Sequence, residues 1–176
     1  LNHGVEFFAA DNGKLSGVTI NGGSYTAVQV NGSKGITIEN CILNPDADAY
    51  TNIEYCLSNN AQSSGGTTPS MTIENVTFDT STRQIWADKD TIDNVNEETD
   101  GEQTDAEVMA LINSSITNKN SGSVTVNFGL TSGGETSSTI PGTAPVTPSN
   151  PGSGSSSSSS TTYSPTLDVS DGGTIK

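Results

Sequence analysis

The chain has 176 residues and a net charge of -14, with six basic side chains against twenty acidic ones. So few cations cannot neutralise a phosphate backbone or an anionic bilayer surface, which argues against nucleic acid and anionic membrane surfaces as partners. Apolar residues make up only 30% and thin out after about residue 130, so the folded core must be smaller than the chain.

No apolar run approaches the roughly 20 residues that cross a bilayer, so no membrane insertion is expected. Leu1 opens inside a patterned segment, and any secretory signal lies outside the sequence. The acidic balance suits a protein of the open medium that meets cations and neutral glycans.

Gly4 to Ala9 reads as a short strand followed by the turn Asp11-Asn12-Gly13. Val18-Thr19-Ile20-Asn21 then introduces a pattern that returns as Ile36-Thr37-Ile38-Glu39-Asn40, as Met71-Thr72-Ile73-Glu74-Asn75 and, degenerately, as Thr91-Ile92-Asp93-Asn94. Ile20, Ile38, Ile73 and Ile92 lie 18, 35 and 19 positions apart. Recurrence at such a period on alternating residues is the mark of stacked strands. A second strand follows three of the copies, at Ala27 to Val30, Ile53 to Leu57 and Gln84 to Ala87.

Alternation sends Ile36 and Ile38 inward and Thr37 and Glu39 outward. Stacking the copies predicts an inner row of Ile20, Ile38, Ile73 and Ile92, and an outer row of Asn21, Glu39, Glu74 and Asp93. Asn40, Asn75 and Asn94 fall at the corner after the strand, with Gly22 at that corner in the first copy. Asparagine tolerates left-handed backbone angles and hydrogen-bonds to its own kind above and below; glycine meets the same backbone demand. Two insertions, residues 44–51 and 58–70, are expected as outward loops.

Thr104-Asp105-Ala106-Glu107 is a capping box, and Val108, Met109, Leu111 and Ile112 supply an apolar stripe. A short helix ending near Asn113 should therefore cover the end of the strand stack, and Ser123 to Phe128 should add a strand. The expected domains are residues 1–130, patterned and capped; 131–162, a disordered Ser/Thr/Pro/Gly-rich linker; and 163–176, the start of a further module cut short. Cys41 and Cys56 lack zinc-site spacing and are either a disulfide or two thiols filling apolar positions.

Four groups of side chains are candidate sites. Glu39, Glu74 and Asp93, stacked about 4.8 Å apart, could share a cation, hold a raised pKa, bind a glycan or match the carboxylate spacing of a retaining glycosidase, or simply face solvent. Asp46 and Asp48 in the first insertion, with Asp88 and Asp90 near the third corner, could ligate calcium, although neither cluster has an EF-hand pattern. Tyr50, Tyr55 and Trp86 could stack on sugar rings if exposed, with core packing the plainer reading. His3 is the only histidine and sits at the ragged start, which removes a Ser-His-Asp mechanism from the described repeat.

With Thr37-Ile38-Glu39-Asn40 before Leu43, Thr72-Ile73-Glu74-Asn75 before Phe78, and Thr91-Ile92-Asp93-Asn94, the chain resembles the right-handed parallel β-helix superfamily, the pectate-lyase-like fold, over about residues 4–95. The resemblance implies an all-β solenoid with a short capping helix. It also implies one of the tasks that this fold hosts, among them polysaccharide lyase, glycosidase, tailspike and surface adhesin. Lyases of this kind pair calcium-binding acids with a basic residue, and here Arg83 is the only arginine. Of the glycosidase motifs only Asn44-Pro45-Asp46 matches Asn-x-Asp. The serine-rich spacer resembles those of bacterial cell-surface proteins. The expectation is thus an extracellular or cell-surface module for adhesion or glycan binding, or a plain stalk, facing glycans or host-surface partners. The alternative is part of a carbohydrate-active enzyme.

Overall fold

The computed structural model describes residues 2–56, 69–87 and 104–143. The chain divides into two compact units, Leu1–Val146 and Thr147–Lys176, and all described residues belong to the first. That unit is mostly β-strand with one described α-helix. The expected linker core and the module beyond residue 163 lie outside the described residues.

The strands are β1 (His3–Phe8), β2 (Lys14–Ser16), β3 (Thr19–Asn21), β4 (Thr26–Asn31), β5 (Ile36–Glu39), β6 (Ile42–Asn44), β7 (Thr51–Cys56), β8 (Met71–Glu74), β9 (Thr77–Phe78) and β10 (Arg83–Ala87). Helix α1 (Asp105–Ser115) leads into β11 (Ile116–Asn118), β12 (Val124–Gly129) and β13 (Glu135–Ile140). Three sheets result, ordered β1-β4-β7-β10-β12-β13, β11-β8-β5-β2 and β3-β6-β9. Every pair is parallel except β12 with β13. From β1 to β9 the chain visits the three sheets in turn, three times over.

Alternation in each strand supplies the core. Ile36, Ile38, Met71 and Ile73 are buried, and register sets Ile36 against Met71 and Ile38 against Ile73, as the repeat predicts. The first copy is a correction. Leu15, not Ile20, pairs with Ile38, and Ile20 pairs with Leu43 in the three-stranded sheet. The physical reason is that the strand Lys14–Ser16 sits 23 residues before its neighbour, a spacing shared by the pair Asn21 and Asn44, whereas the more legible Val18-Thr19-Ile20-Asn21 belongs to a different sheet.

The corner after β5 and β8 behaves as expected. Asn40 and Asn75 have φ of 52° and 50°, and Asn75 Nδ2 donates to Asn40 Oδ1 at 2.8 Å. Gly17, with φ of 67°, is the residue at that corner in the first triplet: its amide donates to Glu39 O as Asn40's donates to Glu74 O. Gly22 follows β3 instead and bonds to Asn44 O.

Helix α1 starts where the capping box predicts. Thr104 Oγ1 accepts from the Glu107 amide, and the Glu107 carboxylate accepts from the Thr104 amide. These hydrogen bonds hold the Glu107 carboxyl below the ordinary carboxylate range. The helix buries Val108 and Ile112 fully, while Met109 is half-buried and Leu111 is exposed, so its apolar stripe is narrower than the sequence implies. Ser115 Oγ meets the buried Tyr55 hydroxyl at 2.9 Å, joining the helix end to β7.

The boundary expected at residue 130 falls short of a further strand. Glu135–Ile140 pairs antiparallel with β12 through all six residues, although its composition is that of a linker. Its alternating exposed and half-buried residues place Thr136, Ser138 and Ile140 toward the protein, and backbone pairing rather than apolar burial holds it. Cys41 is buried, donating to Glu39 O at 3.1 Å, and both cysteines are thiols.

Because only Gly and Asn adopt left-handed angles readily, Asn75→Ala should cost about 1–2 kcal/mol in stability. Asn75→Gly should cost less than half of that. Midpoints from urea unfolding of the two variants check the order, and equal losses would show that the amide ladder, not the backbone angle, matters.

Candidate functional site

The four-stranded sheet carries the acidic row on its outer side. Glu39 and Glu74 are direct neighbours in register, preceded in the row by Ser16 rather than by Asn21. Asn21 lies in the other sheet, where it accepts from Asn44 Nδ2 at 3.0 Å. Asp93 lies outside the described residues. Two like charges at strand spacing repel, and a lysine flanks each of them: Lys14 Nζ is 2.8 Å from Glu39 Oε1, and Lys119 Nζ is 3.6 Å from Glu74 Oε2. Ser16 Oγ also donates to Glu39 at 2.8 Å. The hydrogen bonds from Lys14 and Ser16 hold the Glu39 carboxyl below its ordinary value. A general acid needs a shift in the opposite direction.

The aromatic residues gather beside the starts of β4, β7 and β10. Tyr25 and Tyr50, one strand apart, stack with centroids 5.7 Å apart and planes within 9°. His3 meets Tyr25 edge-on at 5.8 Å, and Trp86 meets Tyr50 edge-on at 4.9 Å. The Arg83 guanidinium lies 4.4 Å from the Tyr50 centroid and 4.7 Å from that of Trp86. Trp86 is 5% exposed, and Tyr55 points into the core, fully buried, where burial pushes its phenol pKa upward. Arg83 and the neighbouring rings therefore occupy the faces of Tyr50, and Trp86 and Tyr55 present no platform for a sugar ring.

Arg83 also ties this cluster to β13. Its Nε and Nη2 donate to the two carboxylate oxygens of Glu135 at 3.1 and 2.6 Å, its Nη1 donates to Tyr50 O at 3.3 Å, and Asn127 Nδ2 donates to Glu135 Oε1 at 2.7 Å. The fork geometry matches a carboxylate at two points. The Arg83 contact holds the Glu135 carboxyl below its ordinary range, and Glu135 raises the guanidinium correspondingly. The sequence marks Arg83 as the lone arginine but gives no sign of Glu135, which sits in a segment that reads as linker.

Two clefts lie beside this cluster and meet at Gln84. One, of about 320 Å³, is lined by Asp79, Thr80, Thr82, Arg83, Gln84, Thr125 and Asn127. The other, of about 310 Å³, runs along Val76, Thr77 and Phe78 opposite Asn120 to Val124. Neither contains a residue singled out from the acidic rows. Asp46 and Asp48 are exposed in the turn after β6, and Asp88 and Asp90 lie outside the described residues. Among the described residues no three His, Cys, Asp or Glu side chains converge on a metal-sized site. Nor is any described helix long and apolar enough to cross a membrane.

Compared with known proteins, the chain matches no family model, no curated protein sequence and no solved structure.

The Arg83–Glu135 pair has a defined pH signature. Glu135 has a folded pKa below its unfolded value of about 4.3. Its contribution is therefore full above that pH and is lost as pH falls through the folded pKa. Partial exposure limits the effect to on the order of 1 kcal/mol or less. Glu135→Gln should flatten that part of the stability curve below pH 4.5, as followed by thermal unfolding, while Arg83→Lys should lower stability at neutral pH by losing both the fork and the ring contact.

Proposed function

We propose that the chain is a stretch of right-handed parallel β-helix, of the pectate-lyase-like kind, that serves as a structural module of an extracellular or cell-surface protein. The cyclic visit to three parallel sheets supports the solenoid reading, since closing such a path around one core is what a β-helix does. The scaffold role rests on one observation: many outward polar side chains bond to each other between neighbouring segments of the stack. Asn21 with Asn44, Asn40 with Asn75, Lys14 with Glu39, Glu74 with Lys119, and Arg83 with Glu135 all do so.

The module would hold other parts of a multidomain protein at a distance, and adhesion would fall to its loops. Glycan capture is the second reading, favoured by the polar cleft beside Arg83, with hydroxyl, amide and carboxylate groups within one sugar's reach. Membership in a polysaccharide lyase or glycosidase is weaker, because the paired carboxylates Glu39 and Glu74 are each neutralised by a lysine.

The whole chain, printed against a panel of neutral glycans and polyuronates and incubated with each in solution, tests these readings together. The scaffold role expects neither retention nor release of sugar. Saturable retention lost in Gln84→Ala would establish glycan capture instead, and released product would establish an enzyme.

A further inference from the structure

The three sheets do not end at the same level. Beyond β10 the six-stranded sheet gains β12 and β13, and beyond β8 the four-stranded sheet gains β11. The three-stranded sheet stops at β9, because residues 119–123 run directly from β11 to β12. One edge of β9 is therefore without a neighbouring strand among the described residues, and the two clefts lie along it.

Thr77 and Asp79 donate their amides toward β6, to Cys41 O at 2.9 Å and Leu43 O at 3.0 Å. Alternation turns the amides of Val76 and Phe78 the other way. Asn120 Oδ1 accepts from the Val76 amide at 2.8 Å, so a side chain stands in for one missing backbone acceptor. By the same alternation the Phe78 amide is expected on the side away from β6, where Phe78 lines the second cleft.

The sheet's own rows specify what would complete it. Each strand offers a β-branched residue, then an inward apolar one, then a polar one: Thr19-Ile20-Asn21, Ile42-Leu43-Asn44 and Thr77-Phe78-Asp79. In the last triplet the polar residue is a carboxylate. Asp79 Oδ1 accepts from the Ser81 amide at 2.8 Å and from its hydroxyl, and no cation pairs with it among the described residues. The one cation lining the polar cleft, Arg83, is already matched by Glu135.

We propose that the trough along β9 takes an extended peptide as a fourth parallel strand, with an apolar side chain beside Phe78 and Val124 and a basic side chain beside Asp79. Main-chain hydrogen bonds to Phe78 would hold the strand, and these two side chains would set its register. The acidic chain as a whole favours such a basic segment. The inference goes beyond the scaffold role and does not depend on it.

The probe is the peptide acetyl-Ser-Gly-Thr-Leu-Lys-Thr-Gly-amide, titrated into the whole nitrogen-15-labelled chain and followed by amide NMR. Saturable shifts are expected at 76–80, 84 and 120–125, with a Kd below about 1 mM and slowed exchange of the Phe78 amide. Replacing the peptide's lysine side chain by that of glutamate, or methylating the lysine's backbone nitrogen, which would donate to Phe78 O, should each weaken binding at least about tenfold. In the chain, Asp79→Asn should weaken the lysine peptide, while unshifted signals elsewhere report an intact fold. Absence of saturable shifts, shifts mapping elsewhere, or equal affinity for the glutamate peptide would overturn the proposal. So would shifts of the same amides by cellohexaose when the peptide produces none.

Discussion

Parallel pairing in constant register stacks like on like, and most of the side-chain chemistry of this protein follows from that constraint. Identical apolar residues welcome it: Ile38 on Ile73 buries both. Asparagine turns it into a bond, since an amide both donates and accepts, and Asn75 reaches Asn40 in that way. Aromatic rings turn it into a stack, as in Tyr25 on Tyr50. Carboxylates cannot use it. Glu74 beside Glu39 is unfavourable by itself, and Lys14 and Lys119 stand on the two flanks where they relieve the repulsion.

Where the repetition ends, other devices take over. Helix α1 brings its own cap and inserts Val108 and Ile112, and the Tyr55 hydroxyl finds a partner in Ser115. The far side of the six-stranded sheet is finished by β13, clasped through Glu135 to Arg83 and through Asn127. Arg83 thus serves as counter-ion and as a ring-facing plate at once. That dual contact explains why the aromatic cluster is built around an arginine and not a lysine.

Much of the fold was legible in the sequence because period-two alternation and capping boxes are local signals. The strands around Ile38 and Ile73, the asparagine corners at Asn40 and Asn75, the follower strands and the start of α1 all belong to that class. In the first copy the local signal points to the wrong neighbour. Val18-Thr19-Ile20-Asn21 looks like a member of the Ile38 row, yet the less patterned Lys14-Leu15-Ser16 occupies that place. Strand β13 has no local signal, because Ser and Thr pairing through the backbone leaves no hydrophobic trace. The acidic row was half legible: adjacency of Glu39 and Glu74 follows from the repeat, but the two lysines that neutralise them are distant in sequence. The clefts could not be read at all, since they arise from a strand that one sheet lacks.

The reversed direction of β13 bears on the edge that a run of parallel strands leaves open. A stack of parallel strands offers, at its last edge, evenly spaced hydrogen-bonding groups on which a strand of the same kind could continue, and a chain with that edge bare invites unlimited growth. A strand of the same direction as the stack would meet an antiparallel last strand head to tail, so the slanted parallel pattern is not continued across it. Six residues of Glu, Thr, Ser and Ile, alternately facing water, therefore put a polar strand of reversed direction where the parallel run of the six-stranded sheet stops.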